Sequence, residues 1–252
     1  MDLQLKGKTA LITGGSKGIG LEIALTLAAE GCNIGLCARH KNEVEAAAKV
    51  AEKGVKVVGE VVDITDDKSL EAWFAKCADQ LGGIDIFVAN ASAGGADVSE
   101  NGWRQNFETD VLATWRAVNG LLPYLEKSSA PSIVMISSTA ALEKFAGAVP
   151  FGAMKAAMLN YAGNLAHDLA PKGIRVNSVS PGPVFIEGGA WDQIKAAMPE
   201  VYESVLAAIP IGRMGTAADV ATQVALLASP LSGYTTGANI VMDGCYTQRL
   251  NY

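Results

Sequence analysis

Short apolar runs alternate with amphipathic stretches along the chain. The runs have the length of β-strands, and the stretches between them show the apolar spacing that is typical of α-helices. The predicted strands are Thr9–Thr13, Asn33–Ala38, Val55–Val62, Ile84–Asn90, Ser132–Ser138, Arg175–Ser180 and Asn239–Asp243. The predicted helices lie near residues 19–30, 42–53, 67–81, 101–127, 150–171 and 216–228.

Most of the predicted strands are apolar throughout and do not alternate with polar positions. Such strands are typical of a sheet that helices cover on both faces. With strand and helix alternating, the pattern predicts right-handed βαβ units and an α/β fold with a doubly wound parallel β-sheet. The chain shows no internal repeat, low-complexity tract or Pro/Ser-rich linker, so we expect a single domain over residues 1–252.

The stretch from Pro181 to Pro210 interrupts this alternation. It contains three glycines and several bulky side chains: Gly182, Gly188, Gly189, Phe185, Trp191, Met198 and Tyr202. Ligands of open α/β sheets bind beyond the carboxyl ends of the strands. We therefore expect a substrate lid at about residues 183–212. The alternative interpretation is a surface helix with a small core of its own.

Composition narrows the class of protein. Of the 252 residues, 50% are hydrophobic and 18% are charged, which supports a large core and excludes global disorder. The 20 Lys and Arg against 26 Asp and Glu give a formal net charge of −6, so the basic footprint of a nucleic-acid-binding protein is absent. The apolar runs are shorter than the roughly 18–20 residues that cross a bilayer, and the first residues do not resemble a signal peptide. We expect a cytoplasmic protein that binds neither nucleic acid nor membrane.

The cysteines and histidines argue against metal chemistry. The four cysteines form no CxxC pair and no ligand-like cluster, which favours reduced thiols in a cytosolic protein. Two histidines, His40 and His167, are too few to favour a structural zinc site or a Ser-His-Asp triad. We therefore expect no bound metal.

A glycine-rich turn follows the first predicted strand and opens a helix. It reads Thr13-Gly14-Gly15-Ser16-Lys17-Gly18-Ile19-Gly20. Glycines let backbone N–H groups approach a pyrophosphate, and the helix N-terminus adds positive potential. At the first βα turn of an α/β chain, this pattern favours a dinucleotide site over a plain turn. The predicted cofactor contacts in the turn are Gly14, Ser16, Lys17, Gly18, Ile19 and Gly20.

The spacing TGxxxGxG is the signature of the short-chain dehydrogenase/reductase family, which the chain resembles over essentially its whole length. Further matching pieces are Asp63, the Ser137-Ser138 pair, Lys155 and Pro181-Gly182. The resemblance implies a Rossmann-type fold and a nicotinamide cofactor. It also implies hydride transfer between that cofactor and the carbonyl or alcohol carbon of a small-molecule substrate.

The residues after the second strand favour NADP(H) over NAD. An NAD site usually has an acidic residue about 20 residues beyond the glycines, which binds the ribose hydroxyls. Residues 31–42 contain no acid, and the strand is followed by Arg39, His40 and Lys41. Cations at this point, with Lys17 in the glycine loop, suit a 2′-phosphate. A solvated basic turn is the alternative.

The resemblance implies further cofactor contacts. Asp63 and Ile64 stand where the family binds the adenine, and Asn90 stands near the adenosine ribose. The family's NNAG motif here reads Ala89-Asn90-Ala91-Ser92, which is a departure. Past the sixth strand, the implied contacts are Pro181, Gly182 and Val184, and Lys155 stands where the family binds the nicotinamide ribose.

The catalytic residues implied by the resemblance are an Asn, a Ser, a Tyr and a Lys, the last two spaced YxxxK. Residues i and i+4 share a helix face, so the ammonium lowers the pKa of the phenol from about 10 and the phenol serves as acid or base. Ser138 and Lys155 match this pattern, and Asp110 stands at the asparagine position. The tyrosine position is Phe151, whose ring has no proton to exchange.

Several interpretations of Phe151 stay open. The chain is a Tyr-to-Phe variant of an ordinary reductase, a natural enzyme with another proton donor, or a catalytically silent NADP-binding subunit. A further alternative keeps the fold but runs non-redox chemistry, with Asp110 or Glu187 as base. The predicted substrate contacts are Ser138, Phe151, Glu187 and Trp191.

The helices at 101–127 and 150–171 match the pair through which members of the family form dimers. Four apolar residues recur at every fourth position of the first: Trp103, Phe107, Val111 and Trp115. Such a stripe usually belongs to the core, although part of it fits an interface. The tail from Gln248 to Tyr252 is a candidate for crossing to a neighbouring subunit. The resemblance implies a homotetramer or a homodimer.

Overall fold

The computed structural model describes residues 1–40, 45–95, 97–145 and 147–249, without the side chain of Ala46. In these residues, parallel strands form one seven-stranded sheet. The strands are β1 Thr9–Thr13, β2 Asn33–Ala38, β3 Val57–Val61, β4 Ile86–Ala89, β5 Ser132–Ile136, β6 Arg175–Pro181 and β7 Asn239–Met242. Their order is β3-β2-β1-β4-β5-β6-β7, which confirms the predicted Rossmann-type doubly wound sheet. The order reverses between β1 and β4, and a crevice opens at such a switch point.

Helices connect the strands and lie on both faces of the sheet. They are α1 Gly18–Ala29, α2 Ala46–Ala51, α3 Asp67–Leu81, α4 Glu100–Asn106, α5 Ala113–Leu125, α6 Pro150–Leu169, α7 Ala190–Ala197, α8 Pro199–Ala207 and α9 Ala217–Ala228. A π-helical turn, Phe107–Leu112, joins α4 to α5. None of the helices described is long and apolar enough to cross a membrane.

The hydrophobic core lies in two layers, one on each face of the sheet. In β1, Leu11 packs in the layer under α3, α5 and α6, whereas Ala10 and Ile12 pack in the layer under α1 and α9. All three side chains are fully buried. Because successive residues of a strand point to opposite faces, a sheet covered on both sides needs apolar residues at consecutive positions.

Several elements differ from the sequence-based prediction at their ends. β3 begins at Val57 and not at Val55, β4 is two residues shorter at its start, and β5 ends at Ile136 and not at Ser138. Asn90 and Ser138 follow the strands instead of ending them, and both place polar groups at the carboxyl edge of the sheet. Of the predicted helix 42–53, the structure shows α2, and residues 41–44 lie outside the described residues.

Most of the apolar stripe of the long helix lies at the surface and not in the core, although Val111 packs against the core. The exposed fractions of Trp103, Phe107 and Trp115 are 38%, 45% and 49%, while small residues such as Ala113 and Ala117 face the core. Spacing at every fourth position identifies one face of a helix, but it does not say whether that face meets the sheet or the solvent. In this chain the aromatic side chains lie on the outer face, and small buried residues form the face toward the sheet.

The insertion after β6 contains two helices, α7 and α8, which the strand-and-helix alternation does not predict. It has a small hydrophobic cluster of its own, in which Tyr202, Ile209 and Met214 are buried. Lys195 lies over the rings of Phe185 and Tyr202, with its Nζ 5.7 and 5.2 Å from their centroids. The cluster gives the insertion the small core that the alternative interpretation expected.

Arg175, at the start of β6, caps the C-terminal end of α9. Its guanidinium donates hydrogen bonds to the carbonyls of Leu227, Ala228 and Ser229 at 2.7, 3.2 and 3.1 Å. The last carbonyls of a helix lack partners within the helix, and a cation suits the negative end of the helix dipole. Burial lowers the pKa of Arg175, so three charge-assisted hydrogen bonds offset the cost of placing this cation inside.

We predict that Arg175→Met lowers the free energy of unfolding by about 3 kcal/mol, because it removes three charge-assisted hydrogen bonds to buried carbonyls. Urea denaturation followed by circular dichroism measures the change. The matched control is Arg213→Met, which removes an arginine that pairs with Asp219 at the surface. Exposed ion pairs contribute little to stability, so we expect a much smaller effect. Equal effects of the two substitutions would contradict the account.

Candidate active site

The backbone of the loop after β1 lies close to the segment that follows β4. Gly14 has φ +64°, a left-handed conformation that suits glycine. A Cβ at Gly20 would overlap the carbonyl oxygen of Gly14 and the side-chain amide of Asn90. The loop therefore packs too tightly for side chains at these positions, and α1 begins directly behind it at Gly18.

Asn90, just beyond β4, braces this loop across the switch point. Its Nδ2 donates to the carbonyls of Thr13 and Gly14 at 3.0 and 3.1 Å. In return, Thr13 Oγ1 accepts from the backbone N–H groups of Asn90 and Ala91 at 3.1 and 3.2 Å. The sequence placed Asn90 near a ribose, and the structure shows that its amide also holds the glycine loop in shape.

A cleft of about 850 Å³ opens at this edge of the sheet. It is lined by many of the predicted cofactor contacts: Gly14, Ser16, Lys17, Ile19, Gly20, Arg39, Asp63, Ile64 and Asn90. The remaining predicted contacts, which are not among its lining residues, are Gly18, His40, Pro181, Gly182, Val184 and Lys155. The cleft thus joins the glycine loop with the ends of β2, β3 and β4.

The predicted cofactor contacts that do not line the cleft have different surroundings. His40 is exposed beside Arg39, and a Cβ at Gly18 would touch the side chain of Ile186, which does line the cleft. Pro181 is buried, and Val184 packs in the hydrophobic layer under α1 and α9. A Cβ at Gly182 would meet Asp243 after β7. Lys41 lies outside the described residues.

One wall of the cleft was not predicted from the sequence. This wall consists of polar side chains of α4, the π-helical turn and α5: Arg104, Gln105, Glu108, Thr109 and Arg116. Their spacing is helical, with Arg104 and Glu108 four residues apart, so a polar stripe along the predicted helix was the available signal. Only the tertiary fold shows that this stripe faces the strand ends.

The turn after β3 is ordered by hydrogen bonds around Asp63. The Oδ1 atom of Asp63 accepts from the backbone N–H and the hydroxyl of Thr65 at 2.9 and 2.7 Å. Arg116 donates to the Thr65 carbonyl at 3.3 Å and pairs with Asp67 at 2.9 Å and with Glu108 at 3.4 Å. Arg116 therefore joins the turn to the wall on the opposite side of the cleft.

Lys155 forms a buried ion pair with Asp110. Its Nζ lies 3.0 Å from Asp110 Oδ1, and the exposed fractions of the two side chains are 6% and 0%. The same Nζ donates to the Ile136 carbonyl at 3.1 Å and lies 5.7 Å from the centroid of the Phe151 ring. Asp110 Oδ2 accepts from the Ala93 N–H at 2.9 Å. Because Ala93 lines the cleft, the ion pair lies directly behind the cleft wall.

The serine pair after β5 divides into a structural and an accessible residue. Ser137 is buried, and its hydroxyl donates to the Lys155 carbonyl at 3.1 Å, which fixes α6 to the sheet. Ser138 is half-buried, and its Oγ accepts from the Ala140 N–H at 3.1 Å. The Ser138 hydroxyl proton is thereby left to donate, as a residue that polarises a carbonyl oxygen requires.

The insertion reaches the loop between β5 and α6 through an aromatic contact. Trp191 of α7 meets Phe145 edge to face, with ring centroids 6.2 Å apart at 68°. Glu187, the other predicted substrate contact of the insertion, is exposed. The predicted lid residue Trp191 thus bridges two segments that follow neighbouring strands.

Other nucleophilic or acidic groups near the site are poor substitutes for a phenol at position 151. Burial raises the pKa of the Cys37 thiol, which lines the cleft, to about 12. Burial also raises the pKa of Tyr161, on α6, to about 12, and a residue six positions past Lys155 lies on another side of the helix. Within the described ranges, no three His, Cys, Asp or Glu residues are grouped to hold a metal ion.

Comparison with known proteins gives the family. A family model described as enoyl-(acyl carrier protein) reductase matches residues 14–247. Isoepoxydon dehydrogenase from Aspergillus clavatus is 36% identical over 245 residues, which cover 95% of each chain. The chain belongs to the short-chain dehydrogenase/reductase family. Another member, a 3-oxoacyl-[acyl-carrier-protein] reductase from Vibrio cholerae, is 32% identical over 246 residues, 96% of this chain and 98% of the relative.

Solved structures of short-chain dehydrogenases/reductases share the whole fold. L-sorbose reductase from Gluconobacter frateurii, complexed with NADPH and L-sorbose, gives a TM-score of 0.90 at 29% identity and covers 99% of this chain and 100% of its own. A 7α-hydroxysteroid dehydrogenase, complexed with NADH and 7-oxo glycochenodeoxycholic acid, gives 0.90 at 30% identity, with 99% and 98% covered. These relatives are oxidoreductases, and a nicotinamide cofactor is the group that their shared fold binds. The tight glycine cradle of this chain fits the pyrophosphate of such a cofactor.

We predict that Asn90→Ala lowers the free energy of unfolding by about 1–3 kcal/mol and weakens nicotinamide-cofactor binding several-fold, because two loop carbonyls lose their donor. Thermal denaturation and fluorescence titration with NADPH measure the two effects. Asn164→Ala is the matched control, since Asn164 is an exposed residue of α6 whose amide bonds only within its own helix. Unchanged stability and binding in Asn90→Ala would show that the brace is dispensable.

Proposed function

We propose that the protein is an NADP(H)-dependent oxidoreductase that interconverts a carbonyl and a secondary alcohol in a small molecule. The observation that carries this proposal is the position of Lys155 behind the wall of the glycine-loop cleft, with Ser138 two residues beyond the end of β5. The missing phenol at Phe151 makes turnover slow, because a positioned acid or base contributes about 10²–10⁴-fold to the rate.

A bound nicotinamide cofactor would supply or accept the hydride, and the chain's own residues would hold the cofactor and polarise the substrate. The backbone N–H groups of the glycine loop and the N-terminus of α1 bind the pyrophosphate. Asp63 and Ile64 bind the adenine. Ser138 donates its hydroxyl proton to the reacting oxygen, and Lys155 binds the ribose hydroxyls. Past β6, the backbone around Pro181, Gly182 and Val184 supports the nicotinamide end.

The insertion selects the substrate in this proposal. Trp191 and Phe145 form an apolar edge over the loop that precedes α6, and the ring of Phe151 adds a further apolar face. A hydrophobic or aromatic carbonyl compound fits this lining better than a small sugar. Glu187, which is exposed on the insertion, contacts polar groups of the substrate in this proposal. Residues 183–212 thus serve as the lid.

The same proposal includes a homo-oligomer. The exposed aromatic residues of the long helix, Trp103, Phe107 and Trp115, form an apolar strip that a second copy covers. In the tail, the Arg249 N–H donates to Glu143 of its own chain at 2.6 Å, so the tail is held locally up to that residue. Residues 250–252 of the tail lie outside the described residues.

We predict that the protein binds NADPH at least tenfold more tightly than NADH and that Arg39→Leu removes this preference. Arg39 lines the cleft at the end of β2, where its guanidinium pairs with a 2′-phosphate. Fluorescence titration with both nucleotides gives the ratio. Arg104→Leu, on the opposite wall and paired with Glu100, leaves the ratio unchanged. Equal affinities in the unmodified chain would exclude NADP(H) specificity.

We predict that Phe151→Tyr raises the rate of NADPH oxidation with a panel of carbonyl compounds, because it supplies the absent proton donor. Phe145→Tyr is the matched control, since it adds a phenol on the lid contact and not next to Lys155. Steady-state absorbance of NADPH measures the rate. If Phe151→Tyr binds NADPH normally and remains silent on the panel, the chain is a non-catalytic binding subunit instead.

A further inference from the structure

We propose that positions 110 and 151 are coupled through Lys155. The Asp110 carboxylate pairs with the Lys155 ammonium and so offsets the positive charge that a tyrosine at position 151 would need in order to act as an acid. Asp110 is thus a positioning residue that decides whether a phenol at this site works as an acid. This inference rests on the proposed function, because it concerns the proton donor of that reaction.

The positions of both side chains of the pair are fixed by their contacts. The Lys155 Nζ and Asp110 Oδ1 atoms are 3.0 Å apart, and both side chains are at least nine-tenths buried. The second carboxylate oxygen is held by the Ala93 N–H at 2.9 Å. An ionised pair withdrawn from water interacts more strongly than one at the surface. Asp110 therefore stays against the ammonium instead of turning to solvent.

The ammonium has few partners besides Asp110. It donates to the Ile136 carbonyl at 3.1 Å, and the Phe151 ring is the third group near it, at 5.7 Å. An opposite charge within about 4–6 Å lowers the pKa of an acid by about 1–3 units. The Lys155 ammonium by itself would lower the pKa of a phenol that replaced the Phe151 ring. The Asp110 carboxylate cancels most of the positive charge of that ammonium and so removes most of the lowering. The carboxylate also repels a phenolate directly.

Other acidic groups on the elements around α6 are engaged elsewhere. Glu108 pairs with Arg116, Glu100 pairs with Arg104, and Glu143 accepts from the Arg249 N–H. On the insertion, Glu187 is exposed and Asp192 accepts from the Gly188 N–H. Lys144, on the loop before α6, is exposed, as are His167 and Asp168 at the far end of α6. Within the described residues, the acidic group that forms an ion pair with Lys155 is therefore Asp110.

The coupling explains why two family positions differ together in this chain. With a phenyl ring at position 151, the buried ammonium lacks a polar partner on its own helix, and a buried charge without a partner is costly. The Asp110 carboxylate supplies that partner. Restoring the tyrosine alone therefore places a phenol beside a neutralised lysine, and the activity gain stays partial.

The direct test titrates the introduced phenol without any cofactor. Ultraviolet absorbance of tyrosinate is followed against pH for Phe151→Tyr and for Asp110→Asn/Phe151→Tyr, and the titration of each parent with Phe at position 151 is subtracted. We expect the phenol pKa to be at least about 1 unit lower in the double variant. Asp168→Asn/Phe151→Tyr is the matched control, because it removes an exposed acid of the same helix, and it leaves the pKa unchanged.

The kinetic arm measures NADPH oxidation over a range of pH. We expect kcat of the double variant to exceed that of Phe151→Tyr at least tenfold, with the optimum moved to lower pH, while Asp110→Asn alone gives no gain. Asp110→Ser removes the same charge if the Asn variant does not fold. An identical or higher phenol pKa without the carboxylate would overturn the inference. Failure of every variant to bind NADPH would overturn the proposed function instead, since the phenol titration requires no nucleotide.

Discussion

A buried charge has to be paired, and in this molecule that constraint acts on Lys155. Its ammonium lies between the Asp110 carboxylate and the Ile136 carbonyl, and its own backbone carbonyl accepts from Ser137. These contacts join α6, β5 and the π-helical turn, and the Ala93 N–H adds the loop after β4. The region around Lys155 is therefore one connected polar network, in which a change of one charge affects the others.

The cofactor end of the cleft follows from sheet topology. The order reverses between β1 and β4, so their carboxyl-terminal loops diverge and leave a crevice. The glycine loop needs close backbone packing to present its N–H groups, and Asn90 holds its carbonyls from the other side of the crevice. A rigid, narrow loop and a helix N-terminus suit a pyrophosphate, which explains why one scaffold serves relatives with different substrates.

Local signals predicted much of the fold. The bounds of β1 and α3 agree with the sequence prediction, because the ends of α3 carry clear signals. Asp66 caps its N-terminus by accepting from the Lys68 N–H, and Gly82 ends it in a left-handed conformation. The glycine loop, Ser138 and Lys155 were recognisable for a similar reason, since their spacing within the sequence is itself the signal.

Features that depend on tertiary contacts escaped prediction. Trp103 and Trp115 lie outside, although their spacing is that of a core stripe, because spacing does not say what a helix face packs against. The Lys155–Asp110 pair joins residues from two different βα units, and the sequence indicated only that the two charges were close. Asn90 acts through its contacts with Gly14, which periodicity does not reveal.

A crystal structure of the unmodified chain grown with saturating NADPH tests the central claim most directly. The account predicts the pyrophosphate on the N–H groups of the glycine loop, the 2′-phosphate beside Arg39, and Lys155 on the ribose hydroxyls while Asp110 stays against it. A cleft that remains empty at saturating nucleotide, or a nucleotide bound elsewhere on the molecule, would contradict the account.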